Sequence, residues 1–397
     1  CVFGDFDDPR VDRDPELSRW GEAITPNQFA LARQFALSDN FYTEVQTSDA
    51  GHLLLTGGHL TEFVERTWIE SSRLDRFFGF QLKPSAQPSM GNLFTHLIDH
   101  GVSIRIFGEI VGMFVSSQTG PRPVNFSDQR YPGGAFFNMG VKDETKARHV
   151  IAQIEAGELA QFTFLSLPND HTYGTDPGKP TPESMVSDND YAVGLVVEAL
   201  SKSPFWPQTA VIILEDDPQG CEDHVDAHRS ILLLASPYAK RGHVSKVHGS
   251  FISVFATINA ILGVPPMGRP DAAVPPLYDM FTADRDLTPF EALPRQVPDA
   301  LNPPDGPGGE KSARMNFGSP DREPDLAVVL DAYRLWKMGR ISRAEADRRV
   351  EAAEIGPERR EMLEEEAEEE STAFDLDWPL YQQWRAQQGL PPAERAR

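Results

Sequence analysis

The sequence predicts an α/β protein with a largely parallel central sheet flanked by helices, an irregular insertion and a helical C-terminal tail. Three observations carry that expectation. Residues 210–214 and 231–235 are unbroken apolar runs of strand length, as suits strands covered on both faces. Such runs alternate with amphipathic helical patterns as far as about residue 285. Polar clusters stand directly after the apolar runs, where the ligand crevice of an open α/β sheet lies.

The 397 residues are enough for one large α/β domain with an appendage, or for two domains. A hydrophobic share of 40% and a charged share of 24% are those of a globular chain. The formal net charge of -23 argues against nucleic acid or an anionic membrane as partner, because a polyanion meets repulsion over most of the surface. No apolar run approaches the roughly 18 residues of a membrane span. Two cysteines, Cys1 and Cys221, make no disulfide framework. The chain starts at Cys1 without an initiator Met or a signal-peptide pattern, so it reads as truncated, with a lipid-bearing first cysteine as the alternative.

Residues 1–23 are polar and crowd Asp5, Asp7, Asp8, Asp12 and Asp14 into a loop. Thr25 and Pro26 open a helix, Thr as N-cap and Pro as a favoured first residue, with Phe29, Leu31, Ala32, Phe35 and Ala36 as its buried face. Residues 38–42 lead to the small residues of 48–52, which turn the backbone ahead of a helix expected over 59–69. Residues 92–100 read as a helix closed by Gly101, before a strand over 102–107. Residues 110–141, rich in Gly, Pro, Ser and Asn, form an irregular excursion, either a lid or a plain loop. A helix over 143–156 and a strand over 162–167 follow. Thr181 and Pro182 begin a long helix whose more polar side is expected to expose Asp188 and Asp190. Ser250 caps a helix over 251–262 that ends at Gly263. Residues 1–290 are thus one α/β domain, 291–325 a Pro/Gly-rich linker or surface wrap, and 326–397 a charged helical extension with an exposed acidic block at 364–370.

Chemistry concentrates in residues 209–237. Asp216 and Asp217 end the first apolar run there, and His224 and His228 follow. Hard oxygen and imidazole donors this close suit a divalent cation, whose hydration shell they replace; a solvated acidic loop is the plain alternative. A second polar cluster, Asn169, Asp170, His171 and Thr172, follows the run at 162–167, and parallel strands would bring both clusters to one crevice. Ser48 precedes a helix, where N-terminal amides stabilise an anion beside a nucleophilic hydroxyl; an ordinary Ser turn is the alternative. The chain has no internal repeat and no Gly-rich phosphate loop of the Walker or dinucleotide type.

Four segments together resemble the bacterial phosphoesterase family of acid phosphatases and phospholipase C-like enzymes, within the alkaline-phosphatase-like fold group. They are residues 24–33 with Asp39-Asn-Phe-Tyr42, Ser48-Asp-Ala-Gly-His52, Leu167-Pro-Asn-Asp-His-Thr-Tyr-Gly-Thr175, and Glu215-Asp-Asp-Pro-Gln through Asp223-His-Val-Asp-Ala-His-Arg229. The resemblance covers about residues 2–281. It implies a metal-dependent hydrolase of phosphoric esters, monoesterase or phospholipase C-like diesterase, that uses a serine nucleophile and a divalent cation of unknown identity. It implies further that Ser48 is both nucleophile and metal ligand, that Asp216 and Asp217 are metal ligands, and that His171 contacts phosphate or protonates the leaving group. His224 and His228 match family positions as a ligand and a catalytic residue or their support, and His52, Asn169 and Arg229 stand as substrate contacts. The substrate implied is a small phosphate ester or a phospholipid, and the compartment favoured is periplasmic or extracellular.

Three departures accompany the resemblance. The family's Glu-Asn ligand pair, which precedes the segment that residues 2–5 resemble, is not in the chain. Asp49-Ala50-Gly51-His52 replaces Ala-Asp-Gly-His, and Gly220-Cys221 replaces Asp-Gly. They motivate a second reading from another class, a non-catalytic binding or surface protein on a decayed phosphatase scaffold.

Overall fold

The structure, a computed structural model, describes residues 2–45, 47–66, 86, 88, 91–109, 116–117, 120–121, 128, 130–134, 138–218, 223–313, 332, 335–336 and 339–352. The chain divides into two compact units, residues 1–68 with 76–321, and residues 69–75 with 322–397. Most of the expected excursion at 110–141 and of the C-terminal extension, with the acidic block, lies outside the described residues. In the second unit, the helix Arg343–Glu351 is N-capped by Ser342, whose side chain accepts from Glu345 N.

The first unit is α/β, as expected, but its main sheet is mixed rather than largely parallel. Strand β1 (Ala36–Tyr42) lies inside it. On one side β1 pairs antiparallel with β5 (Arg229–Ala235), which pairs antiparallel with β4 (Val211–Leu214). On the other side β1 runs parallel to the short strands β6 (His243–Ser245) and β7 (Gly249–Ser250). A separate parallel pair is formed by β2 (Ile104–Phe107) and β3 (Phe162–Leu165). The two long apolar runs are therefore antiparallel neighbours, with Leu214 opposite Leu232 and Val211 opposite Ala235. An unbroken apolar run reports burial on both faces, and burial does not fix strand direction. Because both β1 and β4 oppose β5, their carboxyl ends open on the same edge of the sheet.

β1 departs from expectation in a second way. The helix α1 (Pro26–Gln34) stops before Phe35, so Phe35 and Ala36 belong to the approach and start of the strand, not to the helix face. Phe35, Phe41 and Phe251 are fully buried, and the rings of Phe41 and Phe251 lie 5.8 Å apart. Burial of each such ring stabilises the fold by roughly 1.5–3 kcal/mol.

Helices α2 (Ser48–Gly57), α3 (Leu93–Asp99), α4 (Asp143–Glu155), α5 (Pro182–Ser201) and α6 (Phe251–Leu262) follow the expected pattern, apart from α2, described below. Asn92 and Ser250 each form a capping box with the residue three positions on, and Gly263 closes α6 at φ 68°. Thr25 does not cap α1; its hydroxyl donates to Trp20 O. The cap comes from α5. The Asp190 carboxylate accepts from Asn27 N at 3.0 Å and Gln28 N at 2.8 Å, amides that an α-helix leaves without internal partners. Asp188 and Asp190 are thus buried, 2% and 1% exposed, and not the solvated pair that a polar helix face suggests. Both answer backbone amides that burial would otherwise strand: Asp188 accepts from Asp143 N at 2.7 Å.

Candidate active site

Chain direction and small residues bring Ser48 to the sheet edge. After β1 the backbone passes Glu44 at φ 63° and enters α2, of which Ser48 is the first residue. This helix is unexpected; it precedes the expected one at 59–69, of which residues 62–66 are helical and 67–69 lie outside the described residues, and it is driven by burial of Ala50, Leu53, Leu54 and Leu55 and closed by Gly58 at φ 72°. Ser48 is itself buried at 7% exposure. Gly51, one turn on, faces the loop after β4: a Cβ there would stand 2.3 Å from the Asp216 carbonyl oxygen. Only a residue without a side chain lets α2 approach that loop so closely.

Three strand ends and one helix then converge. The Ser48 hydroxyl donates to Asp217 Oδ2 at 2.6 Å, from the residue pair that follows β4. The His52 ring bridges two carboxylates, with Nδ1 2.7 Å from Glu109 Oε2 and Nε2 3.3 Å from Asp216 Oδ2. Glu109 is 2% exposed and follows the end of β2. Glu215 shares a side-chain hydrogen bond with Asp170, beyond β3. Two acidic side chains form such a bond when one holds a proton. Burial is the main reason the Glu215 carboxyl is pushed well above the usual carboxylate range, and the charges of Asp170, Asp216 and Asp217 push the same way. Burial also raises Asp216, while His52 pulls it back. Asp216 keeps 30% of its side chain exposed, so solvent reaches the centre of the group. The crevice concentrates negative charge that a proton or a cation offsets.

His171 lies on a 3-10 turn, Pro168–His171, directly after Asp170, and its Nδ1 lies 3.1 Å from Thr172 O. Its neighbour Asn169 is 3% exposed and engaged in the fold: its N donates to Asp143 Oδ2 at 2.8 Å and its side-chain amide to Asp188 Oδ2 at 3.0 Å. Asn169 thus holds the turn in place.

The remaining sequence candidates gather elsewhere. His224 Nε2 meets Asp12 Oδ1 at 3.1 Å, and Arg229 Nε donates to Asp223 Oδ2 at 3.0 Å and its guanidinium to Asp12 O at 3.1 Å. These residues line a cavity of about 80 Å³ shared with Val2, Phe3 and Leu37. His228 Nδ1 lies 2.9 Å from Asp226 Oδ1. The structure thus joins Ser48, His52, Asp216 and Asp217, and gives His224, His228 and Arg229 partners in the loop after β4 and in the N-terminal segment.

Ser48, His52, His171, Asp216, Asp217, His224, His228 and Arg229 all fall within residues 11–265, the span matched by the model of the Phosphoesterase family. The chain belongs to the phosphoesterase family. No curated protein matches it in sequence. Among solved structures, the chain is similar to a protein of the alkaline phosphatase superfamily from Vibrio parahaemolyticus, at 18% identity and a TM-score of 0.45, over 64% of this chain and 65% of that one. It is also similar to the lipoteichoic acid synthase LtaP from Listeria monocytogenes, at 13% identity and a TM-score of 0.41, over 73% of this chain and 84% of that one. The first match spans just under two thirds of its counterpart.

Glu109 and Glu215 join the site without having been singled out by sequence, beside Asp170 of the second polar cluster. A signal for each was present: every one stands within a few residues after an apolar strand run, as Asp216 does. Among the described residues, no three metal-binding side chains converge on one point as a formed metal site requires. The donor chemistry at Asp216, Asp217 and Ser48, carboxylate and hydroxyl oxygens beside surplus negative charge, is that which a hard divalent cation takes.

Proposed function

We propose that this phosphoesterase hydrolyses phosphoric esters through a covalent intermediate on Ser48. One observation carries the reading: the Ser48 hydroxyl, in the first turn of α2, donates at 2.6 Å to the Asp217 carboxylate. That contact holds the hydroxyl hydrogen on the carboxylate that receives it, while the helix N-terminus favours negative charge at the oxygen left behind. Ser48 Oγ forms the bond to phosphorus as the bond to the ester oxygen breaks. His171 supplies the proton that the departing alkoxide takes up. Water then cleaves the phosphoseryl bond, releasing phosphate or a phosphomonoester and restoring the serine. His52 ties Asp216 to Glu109 and so fixes the loop that carries Asp217. A divalent cation held by Asp216, Asp217 and Ser48 would neutralise phosphoryl oxygens and lower the serine pKa.

Steady release of alcohol from aryl phosphate monoesters and diesters, screened with several divalent cations, tests the proposal. Turnover of aryl sulfates with none of phosphates would move the activity to sulfuric esters. No turnover of any ester would favour the second reading, a binding protein on a phosphatase scaffold, which draws on the placement of His224 and His228 apart from Asp216 and Asp217.

A further inference from the structure

We propose that Thr172 and Asn189 are positioning residues that set the tautomer and direction of the His171 ring. Thr172 has φ 61° and ψ 176°, a backbone conformation that is essentially reserved for glycine and costs a β-branched residue dearly. Its consequence is specific. With this φ and ψ the Thr172 carbonyl oxygen turns onto the preceding side chain and meets His171 Nδ1 at 3.1 Å. A carbonyl only accepts, so Nδ1 keeps its hydrogen and Nε2 is the ring nitrogen that takes up and releases the proton given to the leaving group.

Such a conformation persists only where its surroundings over-determine it, and here they do. The Asn189 side-chain amide, on α5, donates to Leu167 O at 2.6 Å, Asp143 Oδ2 at 3.1 Å and Asp170 Oδ1 at 3.3 Å. Asp143, on α4, is fully buried; it accepts from Asn169 N and is paired at 2.9 Å with Lys146, itself 1% exposed. Lys146 also donates to Asn138 O at 2.7 Å. Inside the turn, Thr172 N donates to Asn169 O at 3.1 Å, and Gly174 N donates to Thr172 Oγ1 at 3.0 Å. Two helices therefore hold the turn just ahead of His171, and the Asn189 side chain reaches both its entry and Asp170. A lone buried polar group in a core needs no such convergence. The link to catalysis rests on the reading of His171 as the proton donor above; the link to ring geometry does not.

The test uses the full chain with Asn189→Ala, Asn189→Ala combined with Thr172→Gly, and Asp190→Asn, a neighbouring buried substitution that leaves the turn alone. Asn189→Ala lets Thr172 relax, and kcat for an aryl phosphate falls roughly 10- to 100-fold with KM nearly unchanged. Adding Thr172→Gly restores most of the lost kcat, because glycine adopts the required conformation without strain. Asp190→Asn lowers the melting temperature but keeps kcat. Nitrogen-15 NMR of the imidazoles, read independently of turnover, shows the Nδ1–H tautomer for His171 in the wild type and its loss in Asn189→Ala. An Nε2–H tautomer in the wild type, a double variant as slow as Asn189→Ala, or an equal loss of kcat in Asp190→Asn overturns the proposal. An inactive wild type with the Nδ1–H tautomer in place overturns the proposed reaction and leaves the positioning intact.

Discussion

Gly51 and the Asp216 carbonyl meet where α2 crosses the end of β4, and a single methyl group would close the gap to 2.3 Å. The contact is backbone against backbone, so neither side can swing away. It ties the helix that begins with Ser48 to the loop that supplies Asp217. Gly51→Ala should therefore part the Ser48–Asp217 pair as well as strain the fold. We expect a loss of about 1–3 kcal/mol of stability from overpacking, measured by urea unfolding, and a fall in kcat larger than that destabilisation explains at temperatures where the variant remains folded.

His52 sits between Glu109 and Asp216 and donates to both only when each ring nitrogen carries a hydrogen. Glu109→Gln keeps an oxygen for Nδ1 and removes the charge. The expected outcome is a folded protein with kcat lowered roughly tenfold, the scale of a lost supporting contact behind a site group. Steady-state kinetics with circular dichroism as the folding control checks it.

Asp190 offers a pH signature away from the site. Burial pushes its carboxyl up to about 6, against an ordinary 3.8, despite the bonds from Asn27 and Gln28. The folded state thus binds this proton more tightly than the unfolded chain. The associated stability is fully present below pH 3.8 and is lost as the pH rises through about 6. Asp190→Asn, which cannot ionise, should remove that decline, so the difference in unfolding free energy between variant and wild type should change across pH 4–6 by on the order of 2–3 kcal/mol. A constant difference across that window would show that Asp190 does not titrate there.

The carboxylates around Asp216 predict dependence on a cation. Chelation with EDTA should abolish ester hydrolysis and lower the melting temperature, and both should return with one divalent metal, since a ligand that binds only the folded state stabilises it. Asp217→Asn should weaken that metal-dependent rise in melting temperature. A melting temperature indifferent to EDTA and to added metals would contradict cation binding at these residues.

Much of this was legible in the residues. The helices at 182–201 and 251–262, and the start of the one at 26, follow from Pro and Ser starts and the closing Gly263, and the helix at 143–155 from its apolar spacing. Strand ends followed by carboxylates marked Asp216 and Asp217. The central strand β1 was hidden because Ser38, Asp39 and Asn40 interrupt its apolar pattern; Asp39 is bonded instead to Asp12 N and Lys246. The start of α2 was hidden because Ser, Asp, Ala and Gly read as a turn, and only the buried leucines beyond them and the contact of Gly51 with Asp216 make a helix there favourable. Antiparallel pairing of β4 with β5 could not be read from two apolar runs, which carry burial but no direction. The association of His224 with Asp12 joins residues 212 positions apart, a separation that no local pattern encodes.

The most direct measurement is mass spectrometry of acid-quenched enzyme during turnover of an aryl phosphate, with the modified peptide mapped. Ser48 as nucleophile predicts one added phosphoryl group on the peptide that carries Ser48, present in the wild type, enriched in a His171→Ala variant given an activated ester, and lost with Ser48→Ala along with turnover. Turnover that survives Ser48→Ala, or a phosphoryl group found on another residue, would contradict it.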